Sequence, residues 1–319
     1  MADTSVSIAQ PALTLRERRA LADAAVKHGR WMIRADNDGV SPNKKAGSFR
    51  WPEPGEWIKA PDFNARKECG GGLHGQDRTW RGYCEGRRLV FCEWRGGCVG
   101  GIDGNKIKVE EARILLVGEL PAGLICDGSL GVTGCDLKGI ALPQSVGGTL
   151  YLNGCKLAGT TLPQSVGGSL HLSGCDLNGI TLPQSVGGSL DLCGCDLNGI
   201  ALPQSVGGSI DLKGCDLNGI TLPRSVGGWL DLRGCDLDGI ALPQSVGGSF
   251  YLSDCDLKDI SLPRSVGGSL YLSGCATAVS APPQRFRSKA TDYLWSLYEG
   301  ARNACHIQPR SCAFGTGRQ

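Results

Sequence analysis

The sequence predicts a mainly β protein. Its centre is a parallel β-solenoid of twenty-residue coils, flanked by a small α+β N-terminal domain and a C-terminal capping helix. Three observations carry this. A Leu-Pro pair recurs at Leu142, Leu162, Leu182, Leu202, Leu222, Leu242 and Leu262, with degenerate copies at Leu120-Pro121 and Pro282-Pro283. A fixed period of this length is the mark of stacked repeats, each of which buries its edge on its neighbours. Within a copy, Leu190 and Leu192 alternate about Asp191, as in a strand with one buried face. Gly187-Gly188 and Pro203 turn the chain, and no run in the copy suits a full helix. The expected divisions are residues 1–119, 120–280 and 281–319. About eight coils at the strand spacing of ~4.8 Å give a rod about 40 Å long.

Two coil templates fit. The segment GGSLDLCGCDL, 187–197, resembles the leucine-rich repeat LxxLxLxxN/CxL, with Gly187 at the first Leu and Cys195 at the Asn/Cys position. Twenty residues also make four fives, which resembles a pentapeptide repeat with a square coil. There Leu192, Leu197 and Leu202 point inward, with Leu190, Cys195 and Ile200 two residues before them. Gly207 then falls where the fourth side should carry a central apolar residue. The leucine-rich template is the expected one and the square coil is the alternative.

An in-register stack places like residues above one another. Cys135, Cys155, Cys175, Cys195, Cys215, Cys235, Cys255 and Cys275 then form a structural ladder. The strand spacing exceeds the Cβ separation of about 3.8 Å that a disulfide prefers, so these are expected as buried thiols donating weakly to carbonyls. Such thiols predict a reducing, cytoplasmic setting. A second column holds Asp136, Asp176, Asp196, Asp216, Asp236 and Asp256, with Lys156 between the first two. Some pentapeptide-repeat proteins display carboxylates along a rod and bind DNA-handling enzymes. That resemblance implies DNA mimicry as one function. The plainer reading is Asp as a solvated turn residue.

The copies differ chiefly at outward strand positions. One column reads Tyr151, His171, Asp191, Asp211, Asp231, Tyr251, Tyr271. The next reads Asn153, Ser173, Cys193, Lys213, Arg233, Ser253, Ser273, and Trp229 stands where neighbouring copies have Ser. Tyr151, His171, Asp191, Asp211, Trp229, Asp231, Arg233, Tyr251 and Tyr271 are therefore the expected binding face. Their aromatic and Arg content suits a protein partner.

Residues 1–119 carry 20 basic and 16 acidic side chains, 120–280 carry 7 and 13, and 281–319 carry 6 and 2. This balance argues against direct nucleic-acid binding. No stretch has membrane-spanning length, and residues 1–13 lack a basic-then-apolar leader pattern. Thr14 to Glu17 is a capping box that starts a helix ending near His28. Residues 35–61, rich in Pro, Gly, Asn and Asp, read as loop. Strands are expected at 88–94 and at 106–117, the latter broken by Glu110-Glu111. A helix is expected over 289–302 as the C-terminal cap.

The Gly-rich segment Cys69 to Gly75 reads as a tight buried turn with an ordinary core His; a phosphate-cradling loop would need a Lys-Ser/Thr after the glycines, which is missing, and two other chemistries are open. Cys69 and His74 are candidates for a nucleophile and its base. Cys69, His74, Cys84, Cys92 and Cys98 are candidate zinc ligands, although their spacings include no CxxC knuckle. Neither pattern is specific, so no cofactor is expected and zinc is the one to test. Catalysis needs a unique constellation, and near-identical coils supply ladders instead. The expected function is a non-enzymatic, protein-binding scaffold. The alternatives are an enzymatic or zinc-binding N-terminal module targeted by the repeats, and DNA mimicry. The stretch from Trp57 through CGGGLHG, 69–75, to KIKV, 106–109, followed by LPxxxxVGGSLDLxG repeats, resembles bacterial and phage proteins that share this N-terminal domain and array. The resemblance implies architecture and source, with no activity attached.

Overall fold

The computed structural model describes residues 12–38, 50–66, 72–77, 84–102, 106–258, 260–275 and 285–286. They form a mainly β chain with a parallel β-solenoid of twenty-residue coils and a small N-terminal α+β unit. Cys69 and the expected helix over 289–302 lie outside the described residues.

The N-terminal unit begins with α1, Leu15–His28. Thr14 and Glu17 close the capping box, and Gly29 ends the helix at φ 65. Strands β1 (Trp31–Asp36), β2 (Ile58–Lys59) and β3 (Leu73–Gly75) join the long pair β5 (Arg88–Ile102) and β6 (Lys106–Val117). The sheet order is β1-β5-β6-β2, with β3 also on β6. Bonds in both directions between Ile33 and Gln76, each 2.8 Å, tie β1 back to the residue after β3. Side chains alternate across this sheet. Trp31, Ile33, Ala35, Leu89, Phe91 and Leu115 share one apolar cluster with α1 and the coils. Met32, Val90, Cys92, Val109 and Ile114 form a second on the other face.

Three expectations change here. Part of 35–61 is not loop, because Ala35 and Asp36 end β1 and Ile58–Lys59 form β2. Strand β1 is buried on both faces, so it shows no alternation to read. Strand β5 runs on past residue 94 through bulges at Gly96-Gly97 and Gly100-Gly101. Strand β6 is unbroken at Glu110-Glu111 because Lys59 and Arg95 pair with those carboxylates.

The N-terminal unit joins the solenoid through its own backbone. Strand β4 (Cys84–Glu85) pairs in parallel with β7 (Leu130–Thr133), as each coil pairs with the next. The Asp136 N–H donates to the Arg87 carbonyl, and the buried Gln76 side chain donates to the Gly131 carbonyl at 2.7 Å. Residues 84–88 thus act as a coil before the first, covering an otherwise open edge.

Each coil has four sides five residues apart. Parallel pairing recurs at Ser185-Val186 with Ser205-Val206 and at Leu190-Asp191 with Ile210-Asp211. Isolated bridges join Asp176 to Asp196 and Ala141 to Thr161. Three sides turn inward the pairs Leu190/Leu192, Cys195/Leu197 and Ile180/Leu182 and their equivalents, as the square template expects, with Leu202, Leu242 and Leu262 half-buried. The fourth side departs from that template, since Val186 and its equivalents point inward and the glycines do not. Two corners are type II turns. Cys195 N donates to Leu192 O across Gly194 (φ 68), and Ile200 N donates to Leu197 O across Gly199 (φ 72). That turn needs a positive φ at its third residue, which selects glycine. A third corner needs glycine for closeness, because a Cβ on Gly187 would collide with the Gly167 carbonyl oxygen. At the far end, Arg285-Phe286 pairs with Ser265-Val266, one period on.

Candidate functional site

The longest continuous surface is a nine-stranded parallel sheet running from β4 to Leu270-Tyr271. Its inward residues, Leu150 to Leu270, are buried, and its outward column carries the coil-to-coil variation. Register places Tyr151, His171, Asp191, Asp211, Asp231, Tyr251 and Tyr271 side by side. The expected binding face is therefore one contiguous stripe.

The stripe has three zones. At the N-terminal end the rings of Tyr151 and His171 stack 4.8 Å apart, and His171 Nδ1 lies 3.4 Å from Asp191. The centre is acidic. Burial opposes ionisation of Asp191, but its bonds to His171 and to the Cys193 N–H, with the His171 charge, hold its pKa below the usual carboxylate value. At Asp211 the balance is the reverse. Burial first, then Asp231 and Asp191, raise its pKa, only partly offset by the Lys213 N–H and the Arg233 charge. Asp231 is 3% exposed and bound by the Arg233 guanidinium, whose Nε donates at 2.9 Å to both oxygens. The C-terminal end is aromatic. Tyr251 and Tyr271 stack at 4.6 Å, Trp229 meets Tyr251 edge-on at 6.3 Å, and Arg233 lies 5.4 Å from the Tyr251 ring centre. Trp229 and Tyr271 are 38% and 44% exposed, placing two large apolar surfaces in solvent together.

Both Asp columns also have a local role. Asp191, Asp211 and Asp231 each accept the N–H two residues on, ahead of the first type II turn. Asp176, Asp196, Asp216, Asp236 and Asp256 do the same for the second turn, at 2.9–3.0 Å. These are Asx turns, in which a short carboxylate pre-shapes the bend.

The thiols of Cys155, Cys175, Cys195, Cys215, Cys235, Cys255 and Cys275 each donate to the leucine or valine carbonyl 23 residues earlier, at 2.7–3.2 Å. Neither they nor Cys135 form disulfides. Burial pushes the pKa of Cys175 and Cys215 up to about 12 and of Cys155 and Cys255 up to about 11. A thiolate is the reactive form, so these groups are chemically quiet.

The described N-terminal candidates fall on three strands. His74 is half-buried on β3, in register with Lys108 on β6. Cys92 is fully buried with its pKa pushed up to about 12, whereas Cys98 on the same strand is exposed. Cys84 is placed by its backbone in β4. Among the described residues no group of three or more His, Cys, Asp and Glu could hold a metal. No described helix is long and apolar enough to cross a membrane.

Sequence reasoning missed one feature of this surface. The Ser column beside the stripe forms a hydroxyl chain, in which the Ser189 N–H donates to Ser169 Oγ and the Ser209 N–H to Ser189 Oγ. The Trp229 N–H likewise donates to Ser209 Oγ, but Trp229 offers no hydroxyl onward. The run of identical Ser residues was the available signal. Set against known proteins, the chain matches no family model and no curated relative, so its site is defined by its own geometry.

Proposed function

We propose that this protein is a non-enzymatic scaffold that binds a protein partner along the outward stripe from Tyr151 to Tyr271, with the zone of Trp229, Arg233, Tyr251 and Tyr271 as anchor. One observation carries the reading. Inward positions repeat almost unchanged, while the varied residues fall on one continuous sheet face that ends in exposed aromatic rings. Large rings and an oriented guanidinium are the residue types that dominate protein interfaces. The repeats then supply a ruler of fixed pitch, and the N-terminal unit covers its first edge. The coil belongs with pentapeptide-type square solenoids rather than with leucine-rich repeats, because each coil has four sides five residues apart. The quiet thiols suit a reducing, cytoplasmic setting.

The test pairs Trp229→Ala with Tyr271→Ala, leaving the Asp231–Arg233 pair intact. Full-length protein and the double variant are used as baits in one lysate, and captured partners are compared by mass spectrometry. The expected result is a partner held by the wild type and by Asn198→Ala, on another side of the rod, but lost from the double variant at unchanged thermal stability. A partner retained by all three proteins refutes the anchor.

A second reading, mimicry of DNA toward a DNA-handling enzyme, draws on the exposed Asp176 to Asp256 column, one carboxylate per coil along one side. It requires binding that collapses between about 50 and 300 mM salt, because exposed charges are screened over a Debye length of about 10 Å at 0.1 M. Binding insensitive to salt excludes it.

A further inference from the structure

The solenoid is not uniformly paired. The Ser-Val side is split into two four-stranded sheets, one ending at Ser205-Val206 and the other starting at Ser225-Val226. Elsewhere on this side each junction has a regular set of backbone bonds. Gly207 N donates to Val186 O at 2.9 Å and Gln204 N to Gln184 O at 3.0 Å. Gly247 N donates to Val226 O and Gln244 N to Arg224 O, both at 2.8 Å. Among the described residues the equivalent bonds from Gly227 to Val206 and from Arg224 to Gln204 are absent. Val206 is correspondingly half-buried, whereas its equivalents at 146, 166, 186, 226, 246 and 266 are 1–2% exposed.

The opposite flank gives no bridge across this place either. Bridges run from Asp136 through Asp196 to Asp216, and among the described residues none joins Asp216 to Asp236 or Asp236 to Asp256. The central sheet crosses the junction intact, through Ile210 N to Trp229 O and Leu212 N to Asp231 O, both 2.9 Å, and beside it the Gly-Gly corner keeps its bond from Gly228 N to Gly208 O at 3.0 Å. A rod held on one sheet and its adjoining corner, with neither neighbouring side bridged, bends about that sheet.

Trp229 marks the junction. Arg264 occupies the same coil position as Arg224 and keeps its backbone bond to Gln244 at 2.9 Å, so an Arg there does not open the side. Trp229 is the bulkiest departure in this coil, and it follows the Gly227-Gly228 corner directly. An indole does not fit the Ser column, and it turns out to stand on Tyr251. The corner moves with it, and the Gly227 approach to Gly207 is looser than the equivalent approaches at Gly207 and Gly247.

The geometry points to a built-in hinge between the coils of Leu202 and Leu222, set by Trp229. Its axis lies on the stripe between Asp211 and Asp231. Opening therefore reorients the aromatic end of the face against its acidic end. The inference is independent of what the face binds.

Hydrogen exchange of the full-length protein, read at single amides, tests it without any partner. The amides of Arg224 and Gly227 are expected to exchange at least about tenfold faster than those of Gln204, Gly207, Gln244 and Gly247. Trp229→Ser restores the residue of the other coils, and it is expected to bring Arg224 and Gly227 to their neighbours' rates. Arg224→Gln is expected to leave them fast. Equal protection at all six amides overturns the hinge. Fast exchange that persists in Trp229→Ser, or that is cured by Arg224→Gln, overturns the role given to Trp229.

Discussion

The N-terminal unit and the solenoid reach a buried β core by different means. The first uses long antiparallel strands, and its joints are individual: Asp36 with Arg88, Glu93 with Arg113, Glu111 with Arg95, Lys108 with Asn64 and the Arg66 carbonyl. Each of these contacts occurs once. The second uses strands of two residues, and its joints are generic: an Asx turn, a type II turn with glycine, a thiol on a carbonyl, repeated coil after coil. None of these coil-building contacts is distinctive, and losing one leaves equivalents above and below. Unique contacts make a unit brittle at a few side chains, whereas repeated contacts make it sensitive to any condition that acts on all copies together.

Alkali is such a condition, and it gives the largest expected effect. The folded-state pKa values of Cys155, Cys175, Cys215 and Cys255 are raised to about 11–12, against an ordinary thiol value of about 8.5. The folded chain then holds protons that the unfolded chain releases. The stability tied to these thiols is complete below about pH 8.5 and is lost as pH rises toward 11–12. Each thiol contributes a slope of about 1.4 kcal/mol per pH unit in that window. Urea midpoints under reducing conditions should fall steeply between about pH 8.5 and 10.5, and less steeply in Cys215→Ala. A flat profile, or one unchanged by Cys215→Ala, would show that the thiols are not the titrating groups.

The N-terminal unit should break instead at one side chain. Asp36 is fully buried, and both its oxygens are bound by the Arg88 guanidinium at 2.9 and 3.1 Å. Removing one partner of a buried pair costs about 3–5 kcal/mol because the other charge is left uncompensated. Arg88 is one-third exposed, so Asp36→Ala is expected at the lower end, about 3 kcal/mol. Hydrogen exchange should show that loss in β1 and β5 while the coils beyond Leu142 keep their protection. Uniform loss along the chain would mean that the two regions unfold as one.

The same contrast decides what the sequence reveals. The coil is readable because each rule is written seven times, so Leu190/Leu192 and Gly194/Gly199 stand out against any accident. The inward Val186 is not readable from a strict five-residue frame, because the Gly187-Gly188 corner shifts the buried position by one residue. Strand β1 carries Trp31, Met32 and Ile33 on two buried faces and so lacks the alternation that announces a strand. The role of residues 84–88 as a preceding coil depends on contacts with Val132 and Asp136, which nothing local encodes. Of the candidate face, all nine residues are legible as outward variants. Their zones are not, since stacking, pairing and the junction at Trp229 exist only between coils.

The smallest expected effect returns to one turn and separates the repeat rule from its exception. Asp254 occupies the place of Gly194 and holds φ 62, one of two described non-glycine residues with positive φ. A left-handed conformation costs an L-residue roughly 1–2 kcal/mol, less for Asp, whose side chain bonds locally. Asp254→Gly removes that penalty, but it loosens the unfolded chain, which works against it. The net expectation is a gain of about 0.5 kcal/mol, read as a higher urea midpoint at unchanged slope. The substitution acts through one coil, so the gain should appear in hydrogen exchange around Leu252 to Cys255 and leave β1 and β5 unchanged. A loss of stability would mean that the Asp254 side chain contributes a contact worth more than its backbone strain, and that this coil obeys a rule of its own.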